Sequence, residues 1–496
     1  MVENDTWDVL VVGGGIVGAG IVRDAAMRGL RSTLIEQNDF SQGTSSRSSR
    51  LLHGGLRYLA QGRLQQVREA SQEKVVLHRI APHLSAPLAF VFPTYRHTRW
   101  SKWKLRLGVA LYDRLCRGRN LGPSRSLGRD ETLQRVAALQ PSRLTGAVRY
   151  YDGLTCDARL VIDTLSSAAR HGAVCRNHTR FEDAHRADGR WLCQLVDRRD
   201  ATRCQVAARC VVNATGPWSD MLPHSRTHLR RTKGAHLVIR RDRLPIPNAV
   251  VLPDGPRILF AIPWGERVIL GTTDTDYDGP IDSPHCSAED VREILGVARR
   301  LLPTAGLAEA DVISTWAGLR PLVADPHGGP SDISRRHEII MAEPGWIDVT
   351  GGKLTTYRLM AEQTVDQIAE YLGLTPPSCR TAEEPLCDPE AVEGISQIVP
   401  PPLAARAVAH YCHGEWAVHL DDVMVRRTSW HHYLLDPVSA ARKVARWMAT
   451  ELDWNDATVH DELSRYQQIV REDRRSAGGK AAWDGESASD STPSDG

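Results

Sequence analysis

The sequence predicts a mixed fold, in which an α/β domain is combined with an α+β domain and a helical module, and three patterns predict it. An apolar run at 7–12, a glycine-rich turn leading into a helix, and a second apolar run at 32–35 form a strand–helix–strand unit. Short strands separated by polar turns at 233–274 are typical of an antiparallel meander. A further strand, turn and helix begin near residue 346. Because a meander does not fit inside a parallel sheet, we assign it to a separate domain, which makes the α/β domain discontinuous.

Chain length and helix signals complete this division. With 496 residues, 42% of them hydrophobic, the chain can bury more than one core. Ser287 and Asp290 predict a capping box at the start of a helix. Prolines near 376 and at 400–402 precede a helical module, and the polar residues after it predict a disordered tail. The predicted dinucleotide-binding domain comprises residues 1–62, 150–218 and 340–375, and the predicted substrate cap domain comprises residues 63–149 and 219–339. A helical C-terminal domain is predicted at 376–476 and a disordered tail at 477–496.

The turn after the first strand has the spacing of a dinucleotide-binding fingerprint. Gly13, Gly15 and Gly18 fit GxGxxG, with the strand before and the helix after that the motif requires. Backbone without side chains can approach a pyrophosphate closely, and a helix N-terminus offers it free N–H groups. Glu36 ends the second strand, where its carboxylate can accept hydrogen bonds from ribose hydroxyls. The fingerprint predicts a Rossmann-like domain but does not distinguish FAD from NAD.

Two later glycine turns favour FAD. Ala214 and Gly216 lie in VVNATGPW, where a strand ends in a turn of small residues. Gly351 and Gly352 lie in VTGGKLTTYR, where a glycine turn opens a helix. Such turns can bring backbone against a flavin, and a helix N-terminus stabilises negative charge on the reduced ring.

Composition excludes several classes of protein. The 62 basic and 60 acidic residues nearly cancel, so no overall field attracts nucleic acid. The ten cysteines form no CxxC pair and no cluster with histidines at zinc spacing, which predicts reduced structural thiols and no metal site. There is no apolar run of about 18 residues and no charged-then-apolar leader, so we expect a cytoplasmic protein.

The stretch TSSRSSRLLHGGLRYLAQGRL at 44–64 resembles the FAD-dependent, aerobic-type glycerol-3-phosphate dehydrogenases. The similarity covers roughly residues 7–375 and continues through YYDGLTCDARLVIDT, VNATGPW, KGAHLV, IPWGERVILGTTD, WAGLRPL and GGKLTTYR. The resemblance implies a glutathione-reductase-like FAD-binding domain under a cap of antiparallel sheet. It also implies oxidation of sn-glycerol 3-phosphate to dihydroxyacetone phosphate by hydride transfer from C2 to flavin N5, with a quinone as acceptor in the respiratory members.

The resemblance carries over a set of cations suited to a phosphate dianion. Arg57 in HGGLRYL, Arg320 in WAGLRPL and Arg335 in SDISRR occupy matching positions, and Lys353 lies beside the flavin turn. Arg320 also stands among apolar residues and glycine, where an unpaired charge would be costly to bury. We therefore expect it to have an anionic partner, of which the substrate phosphate is the first candidate, and we count it as catalytic.

Oxidation of a secondary alcohol also needs a base for the hydroxyl proton. His53 in LLHGGLRYL and His236 in KGAHLV both lie in matching motifs, and the sequence does not choose between them. Hydroxyls of the TSS turn and of the segment after Lys353 are expected to contact the flavin. The predicted cofactor-binding set is Gly13, Gly15, Gly18, Glu36, Thr44, Ser45, Ser46, Ala214, Gly216, Gly351, Gly352, Leu354 and Thr355.

Several alternatives stay open at this stage. The same half-reaction could use oxygen, as in an oxidase, and less closely related scaffolds oxidise amines or amino acids or serve as flavin-binding regulators. The basic, tryptophan-containing run at 94–119 has the character of an interfacial helix, which would make the protein peripheral on the cytoplasmic membrane face. A helix that packs on the cap explains the run as well. Homo-oligomer formation, and the role of a C-terminal domain shorter than that of the family, stay undecided.

Overall fold

The computed structural model describes residues 6–56, 62–98, 100–116, 120–255, 257–323 and 337–476. The strands, in chain order, are β1 (Thr6–Val12), β2 (Ser32–Ile35), β3 (Leu51–Leu52), β4 (Ala86–Tyr95), β5 (Arg125–Leu127), β6 (Leu144–Leu154), β7 (Val174–Arg176), β8 (Thr179–Ala187), β9 (Arg190–Asp197), β10 (Arg203–Asn213), β11 (Leu229–Arg240), β12 (Ala249–Asp254), β13 (Arg257–Trp264), β14 (Arg267–Gly271), β15 (Thr275–Asp276), β16 (Val312–Val323), β17 (Glu338–Glu343) and β18 (Trp346–Thr350). The α-helices are α1 (Ile16–Met27), α2 (Leu64–Ile80), α3 (Lys102–Leu115), α4 (Arg129–Arg135), α5 (Asp157–Arg170), α6 (Ala288–Leu301), α7 (Tyr357–Leu372), α8 (Ala405–Gly414), α9 (Trp430–Tyr433), α10 (Pro437–Leu452) and α11 (Asp456–Ser476).

The first sheet has a parallel centre, in the order β18, β10, β1, β2 and β7. Helices α1, α5 and α7 cover one face, and the β8–β9 hairpin contributes to the core on the other face. Parallel strands are covered on both sides, which explains why β1 and β2 read as continuous apolar runs. The predicted strand–helix–strand unit is confirmed as β1, α1 and β2, and its glycine turn lies at the carboxyl end of β1, where parallel sheets bind ligands.

The second sheet is mainly antiparallel, in the order β15, β11, β14, β13, β12, β4, β6 and β3, with β16 beside β11 and β5 beside β6. The predicted antiparallel strands at 233–274 are confirmed: β12, β13 and β14 form a meander, whereas β11 pairs with β14 instead of β12. Helices α4 and α6 pack on one face and α2 and α3 on the other. The capping box at the start of α6 is also confirmed, because the Asp290 N–H donates to Ser287 Oγ and the Ser287 N–H donates to Asp290 Oδ2, at 3.3 and 2.8 Å.

A helical C-terminal module follows the second sheet. Helices α8, α10 and α11 pack around Tyr411, Trp430, Met448 and Tyr466, which are all buried. The fold class is therefore confirmed, whereas the domain boundaries stay predictions and the tail at 477–496 lies outside the described residues. Within the parts of the chain that the structure describes, none of the helices combines the length and the apolar character needed to cross a bilayer.

Candidate active site

The glycine turn between β1 and α1 is held in a conformation that excludes side chains. Gly13 has a φ of +114°, and a Cβ at this position would lie 2.6 Å from the carbonyl oxygen of Ala214. A Cβ on Gly18 would lie 2.0 Å from the Gly13 carbonyl oxygen. The turn is fixed from below by Glu36, whose Oε2 accepts the Gly14 N–H at 2.8 Å. Burial raises the pKa of Glu36 above its usual value.

A cleft of about 370 Å³ opens above this turn, and we call it the cofactor cleft. It lies at the carboxyl ends of β1, β2, β10 and β18, so the four turns singled out in the sequence meet there although they are distant along the chain. The predicted residues that line it are Gly13, Gly15, Glu36, Thr44, Ser45, Ala214, Gly216, Gly351, Gly352 and Leu354.

Three residues of the predicted cofactor set do not line the cleft. Gly18 acts through the close packing of α1 on its own turn, and Ser46 is buried. Thr355 is also buried, and its Oγ1 accepts the His53 N–H at 3.0 Å and donates to the His53 carbonyl oxygen at 3.2 Å. A direct cofactor contact for these three residues stays a prediction.

The cofactor cleft has the donor set that FAD requires. Its floor is backbone at a helix N-terminus, where a diphosphate is favoured by the N–H groups and the helix dipole. The carboxylate of Glu36, which can accept hydrogen bonds from a ribose, and the Gly351–Gly352 turn both line the cleft. Thr44 and Ser45 line it as well, and Thr44 Oγ1 donates to the Leu319 carbonyl oxygen at 2.6 Å. The residues present therefore fit a dinucleotide.

A second cavity of about 780 Å³ adjoins the cofactor cleft, and we call it the reaction cavity. The two share a boundary formed by Ile16, Thr44, Ser45, Arg47, Pro321, Gly352, Lys353 and Leu354. The polar end of the reaction cavity brings together His53, His236, Arg320 and Lys353, which come from four separate motifs. The other end is apolar and lies between α3 and the second sheet, with Phe90, Trp100, Leu107, Leu111 and Phe260 in its lining.

His236 lies on β11 and is buried, with its ring stacked on Trp316 at a centroid distance of 5.3 Å. Its Nε2 is 2.8 Å from Ser49 Oγ, and its Nδ1 has no hydrogen-bond partner among the described residues. Burial, and then the charges of Arg320 and Arg50, lower the pKa of His236 to about 3. The imidazole is therefore neutral at physiological pH and has a nitrogen able to accept a proton.

Arg320 lies on β16 next to β11 and is anchored by groups of the second sheet. Its Nη1 donates to Asp274 Oδ1 at 2.9 Å, and its Nη2 donates to Thr272 Oγ1 and to the Thr273 carbonyl oxygen, both at 3.1 Å. An anionic partner is thus present within the protein, as Asp274, and binding of the substrate phosphate by Arg320 stays a prediction. A Cβ on Gly234 would lie 2.3 Å from Nη2, so the glycine of KGAHLV makes room for this guanidinium.

Arg47 is a cation of the site that the sequence patterns did not single out. It lines both the cofactor cleft and the reaction cavity, and its guanidinium makes no hydrogen bond or ion pair with the described residues. Burial lowers the pKa of Arg47, and the negative charge of Asp473 offsets this effect only in part. The available signal is the arginine in the middle of TSSRSSR, a stretch from which the sequence analysis uses only the hydroxyls of the TSS turn. Asp274 and Ser49 were missed as well, because each acts through a partner distant in sequence.

Two predictions about the site stay untested, namely the role of two arginines and the absence of a metal. Arg57 and Arg335 lie outside the described residues, so their role as phosphate-binding cations stays a prediction. Two groups of metal-ligand type occur among the described residues, namely His83 with Asp163 and Cys387, and Asp39 with His178 and Asp422. In each group a carboxylate is already paired with an arginine, Asp163 with Arg159 and Asp39 with Arg427. The absence of a functional metal stays a prediction.

The geometry described above is that of a flavin-dependent redox enzyme, and comparison with known proteins defines its class. The sequence profile described as FAD dependent oxidoreductase matches residues 8–362, which is most of the chain. The chain is therefore an FAD-dependent oxidoreductase, and the choice of FAD over NAD is confirmed.

Individual relatives narrow the family. Glycerol-3-phosphate dehydrogenase 2 of Mycobacterium tuberculosis is 34% identical over 94% of this chain and 88% of the relative. The aerobic glycerol-3-phosphate dehydrogenase of Staphylococcus epidermidis is 37% identical over 76% of this chain and 70% of the relative. The structure of the glycerol-3-phosphate dehydrogenase from Bacillus halodurans complexed with FAD has a TM-score of 0.74 and 28% identity and covers 96% of both chains. The chain belongs to the family of FAD-dependent glycerol-3-phosphate dehydrogenases, as the motifs indicated.

The glycine turn provides a test of the cofactor cleft. Gly13→Ala should lower FAD affinity by at least about tenfold, because the added Cβ forces strain at a positive φ and pushes the turn away from Ala214. The FAD content of the purified protein and titration with FAD measure this. Gly29→Ala is the matched control, since Gly29 has a φ of +80° but nothing within 4 Å of the added atom. Equal FAD affinity in the two variants would contradict the proposed position of the cofactor.

Proposed function

We propose that this protein oxidises sn-glycerol 3-phosphate to dihydroxyacetone phosphate and passes the electrons to a membrane quinone. The observation that carries the proposal is the polar end of the reaction cavity, where histidines and cations surround a space that adjoins the cofactor cleft. The names of the related proteins support the same substrate. Bound FAD supplies the acceptor for the hydride that leaves C2 of the substrate.

The protein's own residues then have three tasks, the first of which is to bind the phosphate. A dianion needs cationic hydrogen-bond donors, and Arg320, Lys353 and Arg47 line the same cavity. Arg320 is held in place by Asp274, so it offers a fixed direction more than an uncompensated charge. Arg47 provides a charge that has no direct ion-pair partner among the described residues, at the boundary with the cofactor cleft. We add Arg57 and Arg335 to this set on the strength of their motifs.

The second task is to remove the hydroxyl proton, and we assign it to His236. Its ring is neutral and fixed by Ser49 and Trp316, so it can accept a proton without moving. Its low pKa arises partly from Arg320, and a phosphate dianion bound near Arg320 offsets that charge and raises the basicity of the ring. His53, whose backbone is locked by Thr355, lines the same cavity and is the alternative base.

The third task is to admit the electron acceptor, and the apolar end of the reaction cavity is suited to it. A three-carbon phosphate does not need the surface formed by Phe90, Trp100 and Phe260, whereas a quinone ring does. This end is bordered by Lys104, Leu107 and Leu111 of α3. The same helix exposes Trp103, Leu107 and Leu111, at 66%, 66% and 39% of their surface.

These exposed residues recur every four positions and form a stripe along α3, with basic side chains on either side of it. Lys102, Lys104, Arg106 and Arg114 belong to the same helix. A helix that is apolar outward and basic at its flanks binds the interface of an anionic bilayer. We therefore propose that α3 docks the protein on the cytoplasmic membrane face and opens the apolar end of the cavity toward the lipid. Free cysteines fit a reducing compartment.

Anaerobic addition of sn-glycerol 3-phosphate to the FAD-loaded protein should bleach the visible flavin absorbance. The expected result depends on the phosphate, so glycerol at the same concentration should leave the spectrum unchanged over the same time. An unchanged spectrum with both compounds, in protein shown to contain FAD, would refute the substrate. If hydrogen peroxide forms in air at the rate of substrate oxidation, the electron acceptor is oxygen and not a quinone.

The pH dependence separates the two candidate bases. A base must be deprotonated, so activity falls as the pH drops through its pKa. For His236, with a pKa of about 3, kcat/KM should show no acid limb near 6.5 once ionisation of the substrate phosphate at about pH 6 is allowed for. His236→Asn should lower kcat by about 10²–10⁴-fold at every pH. An acid limb near 6.5 that disappears in His53→Asn would assign the base to His53 instead.

Membrane docking has its own test. Trp103→Glu should weaken flotation with anionic liposomes and slow quinone reduction, because the exposed indole, which does not line the reaction cavity, loses its favourable transfer into lipid. Reduction of a water-soluble dye should be unchanged. The matched control is Leu435→Glu, which alters an apolar side chain 56% exposed on the C-terminal module. Full flotation of the α3 variant would contradict the assignment.

A further inference from the structure

A buried cluster of charges joins the C-terminal module to the first sheet. At its centre is Asp39, which lies in the loop after β2 and is fully buried. Arg427 donates to both oxygens of Asp39, with Nη1 at 2.6 Å and Nη2 at 2.8 Å, and Arg426 Nε donates to Oδ2. Burial raises the pKa of Asp39, but the two guanidinium groups outweigh it and hold the pKa below its usual value.

The two arginines are themselves held by the C-terminal module. Arg427 also donates to the Glu415 carbonyl oxygen, with Nη2 at 2.7 Å and Nε at 3.1 Å. Arg426 Nη2 donates to Asp421 Oδ2 at 2.7 Å. Each guanidinium therefore spans two parts of the chain, and its position fixes Asp39 relative to the helical module.

The loop that contains Asp39 is also the loop that supports the glycine turn. It runs from Glu36, which accepts the Gly14 N–H, to Ser41, whose N–H donates to the Gly14 carbonyl oxygen at 3.0 Å. Between them, Phe40 is fully buried beneath the turn, and a Cβ on Gly14 would lie 2.6 Å from its Cδ1. Both polar groups of the Gly14 backbone are thus held by the residues that flank Asp39.

A second contact attaches the same loop to the C-terminal module. Trp416 packs edge-on against Phe40, with ring centroids 5.3 Å apart. The Asn177 side-chain N–H₂ donates to the Trp416 carbonyl oxygen at 2.8 Å and to Asp39 Oδ1 at 3.2 Å. The loop at 36–41 is therefore enclosed between the glycine turn on one side and the C-terminal module on the other.

We infer that Arg426 and Arg427 are positioning residues for FAD, which act through Asp39 on the loop that shapes the floor of the cofactor cleft. They touch no part of the cleft themselves, because neither lines it. The C-terminal module then contributes to cofactor affinity from a distance. This inference concerns FAD alone and does not depend on the identity of the substrate or acceptor.

The test compares FAD release from variants of the full-length holoenzyme. Asp39→Asn keeps the shape and the acceptor oxygen of the side chain and removes its charge. It should fold, because Asp421, Asp422 and Glu415 still surround the two arginines. Arg427→Met removes the bidentate donor and leaves Asp39 paired with Arg426. Flavin fluorescence, which rises on release, gives the dissociation rate after dilution, and circular dichroism gives Tm.

We expect both variants to bind FAD about 5- to 150-fold more weakly, the usual range for coupling between sites, and most of this change to appear as faster release. Arg267→Met is the matched control. Arg267 Nε donates to the Tyr433 carbonyl oxygen at 2.8 Å, so this change weakens the attachment of the C-terminal module to the second sheet without touching the 36–41 loop. A lower Tm with unchanged FAD release is the expected result for this control.

Two results would overturn the inference. One is a folded Asp39→Asn protein that releases FAD at the wild-type rate. The other is equally accelerated release in Arg267→Met, which would mean that general loosening of the module is enough. Because coupling is reciprocal, FAD release from the wild-type protein should also speed hydrogen exchange at 405–414, and unchanged exchange there would count against the inference.

Discussion

The whole site depends on how closely the ends of β1 and β10 approach each other. The Ala214 N–H donates to the Val12 carbonyl oxygen at 2.9 Å, and the next residue, Gly13, faces the Ala214 carbonyl oxygen with no room for a side chain. This contact brings the ATG turn of β10 to the same sheet edge as the fingerprint turn. The β18 turn joins them because β18 pairs with β10. A single backbone packing distance thus sets where a cofactor can lie and, through the shared boundary, where the reaction cavity begins.

Around that backbone frame the protein places arginines in two electrostatic states. Arg320 is paired with Asp274, and the guanidinium carbon of Arg50 lies 4.2 and 5.1 Å from the ring centroids of Trp264 and Trp316. Arg47 has no direct hydrogen bond or ion pair from its guanidinium to the described residues, and such a guanidinium in a cavity favours an anion over a neutral ligand. In the proposed function, this arrangement favours a phosphorylated alcohol over the free alcohol.

Short sequence patterns predicted those parts of the structure that depend on residues close together in the sequence. The strand–helix–strand unit, the Ser287 capping box and the glycine turn were readable because each depends on residues a few positions apart. His236 and Arg320 came from motifs, yet the sequence could not place them in one cavity, since that follows from the pairing of β11 with β16. Asp274 was not predictable as the partner of Arg320, because 46 positions separate them. Arg47 was missed for the opposite reason, because an absent partner leaves no pattern in a sequence.

The end of the family profile does not coincide with the end of an independently stabilised part of the structure. The profile ends at residue 362, but several buried groups before that point find their partners after it. The indole N–H of Trp264 donates to the Ile398 carbonyl oxygen at 2.9 Å, and Arg50 Nη2 donates to Ser429 Oγ at 3.1 Å. In a chain cut back to the matched region, these two donors and the carboxylate of Asp39 would lose their hydrogen-bond partners. Each group would then be either buried without a partner or exposed to water. The two sheets that carry the cofactor cleft and the reaction cavity therefore cannot be excised as a minimal enzyme without rebuilding the surface that the helical module covers.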